Sequence, residues 1–487
     1  MTPGVLEVCD AIRSGKLSAA ESVAEAFRQL KRVEPALQAT SQLLEETALA
    51  RAAEIDRQLG RGEEVGRLAG VPFTAKDNIC TREGTTTAGS RILENYRAPY
   101  DATVVERLQK EGAICVAKTN MDEFGMGSST ENSGTVGPTK NPWKTTHVPG
   151  GSSGGAAALA ASTRGMLHLG SDTGGSIRQP AAYCGATGLK PTYGRVSRYG
   201  LLAFASSLDQ IGVLQASALE CACALSVIAG NDPMDSTSAD EPTRDYANEV
   251  EHGVEGLKIG VPHEYFPEGI DPEVSERARE GIETFRKLGV EIHEVSLPHT
   301  PYANPTYVLI SAAEASSNLA RYDGVHYGYR ASAPRGVIDL YSRSRVEGFG
   351  PEVKRRIMVG NFVLSAGYYD AFYNKACKVR QLIRQDFDKV FREVDAVICP
   401  TSPVTAFPIG ERIDDPLKLY AVDALTVPAN LASVPGVSFP CGFTRDKLPV
   451  GLQIYGRLFE DGKMLRLAHA FQKATSHHLT PPPVRGF

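Results

Sequence analysis

The sequence predicts a single α/β domain with a mixed, largely parallel central sheet covered by helices on both faces. Three observations point there. Short apolar strands alternate with helical segments along the chain. Two glycine-rich turns, at 149–155 and 170–178, are separated by a small-residue helix and a short strand. No Ser/Gly/Pro-rich linker and no internal repeat interrupts the pattern, so residues 1–487 read as one unit, with a helical layer at 1–65 and the core at 66–487.

The elements follow in order. Ser18-Ala-Ala-Glu21 is a capping-box pattern that opens a helix with Val23, Ala26, Phe27, Leu30 and Val33 on one face. A second helix runs from Glu45 to Leu59 and stops at Gly60. The two are expected to pack as a surface hairpin. Strand 71–76 ends on Lys76, and Asp101 is the expected cap of a helix that Gly112 ends. Strand 113–117, a small-residue helix at 156–162 and strand 166–169 come next. Later strands are expected at 257–261, 290–295, 396–399 and 451–455. Asp271 and Pro272 open a long helix that stops before Gly289.

Composition excludes several classes. The net charge of −5 supplies no strong field for nucleic acid. No apolar run is long enough for a membrane span, and no signal peptide is evident, so a cytoplasmic protein without membrane contact is expected. Nine scattered cysteines fit buried free thiols better than a disulfide framework. No metal-ligand spacing and no phosphate-binding G-x-x-x-x-G-K-[ST] motif is present, so no metal and no cofactor are expected in this chain.

The glycine loops suggest acyl transfer. Thr173, Gly174, Gly175 and Ser176 could present backbone N–H groups to an oxyanion, with the Ser176 hydroxyl at the same turn. Ser153 formally centres a G-x-S-x-G pattern. A base is needed as well. His147 is the local candidate, whereas His168, inside an apolar strand, reads as a satisfied core residue. Lys76 could serve if burial lowered its pKa.

Gly150-Gly-Ser-Ser-Gly-Gly155 and Gly170-Ser-Asp-Thr-Gly-Gly-Ser-Ile-Arg-Gln-Pro180, with a lysine upstream, resemble the amidase signature family. That resemblance implies a Ser–cis-Ser–Lys triad. Ser176 would be the nucleophile, Ser152 the proton relay on a cis peptide, and Lys76 the base, with Ser153 and His147 in supporting roles. Further segments, among them 126–133, 194–200, 204–211, 352–357 and 427–431, are similar to the branch formed by the glutaminase subunits of tRNA-dependent amidotransferases. The implied substrate is glutamine, with Arg356 on its α-carboxylate, Asp423 on its α-ammonium and Tyr307 nearby. The implied partners are a B subunit, which would use ATP and Mg²⁺ and hold Glu-tRNA(Gln), and a small C subunit. A stand-alone amidase for small or aryl amides is the alternative within the family.

Overall fold

A computed structural model describes residues 3–487. Eleven strands form one sheet: β1 Thr40–Leu43, β2 Pro72–Lys76, β3 Ile114–Thr119, β4 Leu167–Asp172, β5 Thr187–Lys190, β6 Gln210–Gln215, β7 Lys258–Pro262, β8 Glu291–Val295, β9 Ala396–Pro400, β10 Gly436–Phe443 and β11 Pro449–Gly456. Their spatial order is β1-β3-β2-β4-β6-β5-β10-β11-β9-β7-β8.

The sheet is mixed, and its parallel pairing is concentrated toward the two flanks. There β2 runs parallel to β3 and β4, and β7 parallel to β8 and β9. From β4 through β6, β5, β10 and β11 to β9 every neighbour is antiparallel. A tight turn closes the β10–β11 hairpin, with the Thr444 N–H on the Leu448 carbonyl at 2.9 Å. Such a turn can join only antiparallel neighbours. The strands β5, β6 and β10 are covered on both faces, so alternation of apolar residues marks them weakly and the chain shows no clear strand signal there.

Two local expectations are corrected. The stretch 1–65 is not only helical: β1 lies between the helices Ala19–Leu37 and Glu45–Gly60 and pairs with β3, tying the hairpin into the sheet. Asp101 does not cap the helix Thr103–Lys110, whose cap is Ala102. Its carboxylate instead accepts the Arg82 N–H at 2.8 Å. The capping box at Ser18 and Glu21 forms as expected, as do the Asp271 cap and Pro272 start of Pro272–Lys287.

The helix Gly154–Ser162 is buried at every position. Its run of glycine and alanine has no polar face, as a fully enclosed helix requires. It packs on β4 and β6 and starts at the first glycine loop. The second loop leaves β4. Because β2 and β4 are parallel, Lys76 and this loop emerge on the same side of the sheet. None of the nine cysteines is in a disulfide. No described helix is long and apolar enough to cross a membrane.

Candidate active site

Lys76, the last residue of β2, is fully buried. Its Nζ lies 2.7 Å from Ser152 Oγ, 2.8 Å from Ser153 Oγ and 3.3 Å from the Ser171 carbonyl. Burial lowers its pKa from 10.5 to about 7, against the upward pull of Asp122, Asp172 and Asp209. A neutral amine has two N–H donors and one lone pair. The Ser153 hydroxyl donates to the Ser171 carbonyl at 3.0 Å, so toward Lys76 it can only accept. The Ser171 carbonyl can only accept too. These partners take both N–H groups, and the lone pair is left for the proton of Ser152. Ser153 therefore orients the amine, a role its G-x-S-x-G position does not suggest.

The first loop needs its glycines for close approach. A Cβ on Gly151 would lie 2.0 Å from Asp122 Oδ2. The Gly151–Ser152 peptide is cis. Thr130 Oγ1 donates to the Gly150 carbonyl at 2.8 Å and accepts the Gly154 N–H at 3.1 Å, pinning the turn. The Ser153 N–H donates to the Ser176 carbonyl at 3.1 Å, so the two loops meet through their backbones.

Asp172 organises the second loop. Its carboxylate accepts the Gly175 and Ile177 N–H groups at 2.9 and 3.1 Å, Arg178 Nε and Nη2 both at 3.1 Å, and Asn430 Nδ2 at 2.8 Å. Burial alone would raise its pKa, but Arg178 brings it down to about 2. The expectation of four oxyanion donors from Thr173 to Ser176 is corrected here. The Gly175 N–H is taken up by Asp172, while Thr173, Gly174 and Ser176 keep amides that no protein group accepts among the described residues. Gly175 has φ +138°, and a Cβ there would meet Thr426 Oγ1 at 2.2 Å.

Ser176 and Gly174 line a tight pocket together with Tyr307, Arg356, Asp423 and Asn304. Tyr307 lies on the helix Ala303–Asn318 and closes on Gly174, where a Cβ would lie 2.7 Å from its ring. Arg356 lies on the helix Pro351–Leu364. Its Nε donates to Glu352 Oε1 at 2.7 Å one turn earlier, and its guanidinium carbon sits 4.8 Å from the Tyr420 ring centre and 5.4 Å from that of Phe204. This clamp fixes the plane of the guanidinium. Asp423 accepts from the Ser128 hydroxyl through Oδ2, and its buried Oδ1 has no partner. Burial raises the Asp423 pKa to about 7.

The structure thus brings Lys76 onto Ser152, and Ser176 into one pocket with Tyr307, Arg356 and Asp423. Ser128, Glu352, Tyr420 and Asn304 complete the surroundings, and none of them has a role that the sequence predicts. Of these, only the four-residue spacing of Glu352 and Arg356 is a signal visible in the chain. His168 is a buried core residue, bonded to Thr74 Oγ1 at 2.9 Å and Thr163 Oγ1 at 3.2 Å, and burial lowers its pKa to about 3. His147 pairs with Thr146 Oγ1 and with the backbone at Pro408. Among the described residues no group of three or more His, Cys, Asp and Glu side chains is placed to hold a metal. A groove of about 990 Å³ lies between the first helices and the chain's end, lined by Leu17, Ala26, Met166 and Phe487, and contains none of these residues.

The sequence pattern of the amidase family matches residues 21–465. The A subunit of the glutamyl-tRNA(Gln) amidotransferase of Carboxydothermus hydrogenoformans is 53% identical over 476 residues, 98% of each chain. Its counterpart from Moorella thermoacetica is 52% identical, over 98% of this chain and 97% of the relative. The crystal structure of the corresponding Thermotoga maritima protein superposes with a TM-score of 0.82 at 43% identity, covering 99% of this chain and 98% of that one. A bacterial aryl acylamidase shares the fold at a TM-score of 0.87 and 24% identity, covering 99% and 98%. With its pattern matched along almost the whole chain and full-length relatives above half identity, the chain belongs to the amidase signature family.

Proposed function

We propose that this chain is the glutamine-hydrolysing subunit of a tRNA-dependent amidotransferase, and that it supplies ammonia to a partner that converts Glu-tRNA(Gln) to Gln-tRNA(Gln). The observation that carries this reading is one pocket lined by Ser176 together with an arginine and a carboxylate. Free glutamine is a zwitterion with a carboxamide at its far end. Arg356 suits its α-carboxylate, and the unpartnered Asp423 Oδ1 suits its α-ammonium. An aryl amide would call for an apolar far wall.

The Lys76–Ser152 contact supports a proton relay to Ser176 of the kind the family resemblance implies. Neutral Lys76 takes the proton of Ser152 as Ser152 takes that of Ser176. Ser176 Oγ attacks the carboxamide carbon, and the oxyanion lies at the Gly174 and Ser176 amides. As the C–N bond breaks, the proton returns from Lys76 through Ser152 to the leaving amine, releasing ammonia and leaving a glutamyl ester on Ser176. Water, activated by the same relay, hydrolyses the ester to glutamate. The partner B subunit would bind ATP and Mg²⁺ and hold the charged tRNA, and a C subunit would brace the pair. The free cysteines support a reducing, cytoplasmic setting.

The test is to express the chain alone and with candidate B and C subunits and to follow ammonia released from glutamine, with and without charged tRNA and ATP. Glutamine-dependent release, coupled in the full complex to formation of Gln-tRNA(Gln), is the expected result. Cleavage of uncharged or aryl amides in preference to glutamine would overturn the reading.

A further inference from the structure

The pocket lining holds a second unpaired acceptor beside Asp423 Oδ1. Asn304 sits in the first turn of the helix Ala303–Asn318 and lines the pocket beside Tyr307 and Asp423. Its Nδ2 donates to the Tyr420 carbonyl at 3.1 Å, and the same carbonyl accepts the Asp423 N–H at 3.3 Å. One carbonyl oxygen therefore joins the Asn304 amide to the Asp423 backbone. With Nδ2 engaged, the orientation of the amide is fixed and Oδ1 is the free atom. That Oδ1 is buried and has no hydrogen-bond partner, as is Oδ1 of Asp423. Buried acceptors are rarely left without donors, and two bordering one pocket call for a ligand with several N–H groups.

We propose that Asn304 is a specificity residue, accepting a second hydrogen bond from the ammonium group that Asp423 holds. An α-ammonium has three N–H donors. Asp423 Oδ1 takes one, and its Oδ2 is already occupied by Ser128. Asn304 Oδ1 takes another. The neutral amide is the suitable chemistry here. A second carboxylate would repel Asp423 and favour its protonated form, which burial already brings close to neutral pH. The hydroxyl of a serine would be too short to reach both Tyr420 and the ligand.

The inference rests on the glutaminase reading, and its test separates the two. Ammonia release by the complex is measured with glutamine and with glutaramate, the same acid amide without the α-amino group, for the wild type and for Asn304→Ala and Asn304→Leu. Leucine keeps the volume of the side chain and removes both polar atoms. The expected result is a rise in the glutamine KM of about tenfold in both variants, the scale of one hydrogen bond to a charged group, with kcat and glutaramate turnover within about twofold of wild type. The preference for glutamine over glutaramate then falls by about tenfold. Equal losses on both substrates, or an undiminished preference in both variants, would overturn the role of Asn304 alone. A wild-type enzyme that turns over glutaramate as well as glutamine would overturn the glutaminase reading and this inference with it.

Discussion

The two ends of the pocket are built by opposite means. The reaction end comes from Lys76 and the second glycine loop, at the ends of the neighbouring parallel strands β2 and β4, and from the first glycine loop at the start of the helix Gly154–Ser162. The groups that set the base and the second loop are held by several partners each: Lys76 by three, Ser153 by Lys76 and Ser171, and Asp172 by backbone amides, Arg178 and Asn430, although Asp122 Oδ1 and Asn78 Oδ1 nearby are open. The recognition end comes from helices and turns after residue 300, and there the acceptors Asp423 Oδ1 and Asn304 Oδ1 stay open. A reaction centre gains from groups that are already in place, because no reorganisation is then needed as charge develops. A recognition site gains from groups whose best partner is the substrate, since an analogue that cannot satisfy them leaves a buried polar atom unpaired.

The comparison can be broken at the reaction end first. Ser176→Ala should lower ammonia release by about four to six orders of magnitude with the thermal transition unchanged. Turnover that persists in the variant would remove Ser176 as nucleophile. Lys76→Met keeps an unbranched chain of similar shape as far as Cε without the amine, and should cost about 10³- to 10⁴-fold in kcat with little change in KM. A smaller effect, about tenfold in kcat, is expected for Ser153→Ala, where Lys76 keeps its lone pair but loses one of the two acceptors that aim it. If Ser153→Ala changed KM and left kcat alone, Ser153 would belong to recognition instead.

pH probes both ends together. Lys76, at about 7, is the active neutral amine above that value. Asp423, also near 7 without substrate, is the carboxylate that holds a cation above it. The two shifts are opposite in sign, downward for Lys76 and upward for Asp423, but in both groups the deprotonated form is the active one, so kcat/KM for glutamine should fall as pH drops through about 7. For an uncharged amide only the Lys76 limb remains, and its decline should be shallower. Identical profiles for the two substrates would contradict the role of Asp423.

The reaction end was the more legible in the chain, for a physical reason. Close approach demands glycine and proton transfer demands serine, so the constraints leave a mark within a few residues, at 150–155 and 170–178. Lys76 is different. What makes it a base is burial, which no local pattern records, and only the family resemblance tied it to the loops. Asp172 takes up the Gly175 N–H through a carboxylate whose partners lie as far away as Asn430, so the oxyanion donors could not be counted from the turn alone. At the recognition end Arg356, Asp423 and Tyr307 come from separate segments, with no spacing to connect them, and Asn304 gave no signal at all. In the fold, the flanking strands and β11 were readable from the chain, whereas β1 and the strands β5, β6 and β10 of the antiparallel centre were not. β1 is only four residues long. The central strands are set by pairing across distant segments, and their covered faces blur the alternation.

The central claim is that one site joins an amide-cleaving centre to a clamp for a zwitterion. It is tested most directly by measuring kcat/KM of wild type and Arg356→Ala for glutamine and for an uncharged amide such as butyramide. A fall of about two orders of magnitude for glutamine, with butyramide within about threefold of wild type, is the predicted result. Equal losses on the two substrates would contradict it.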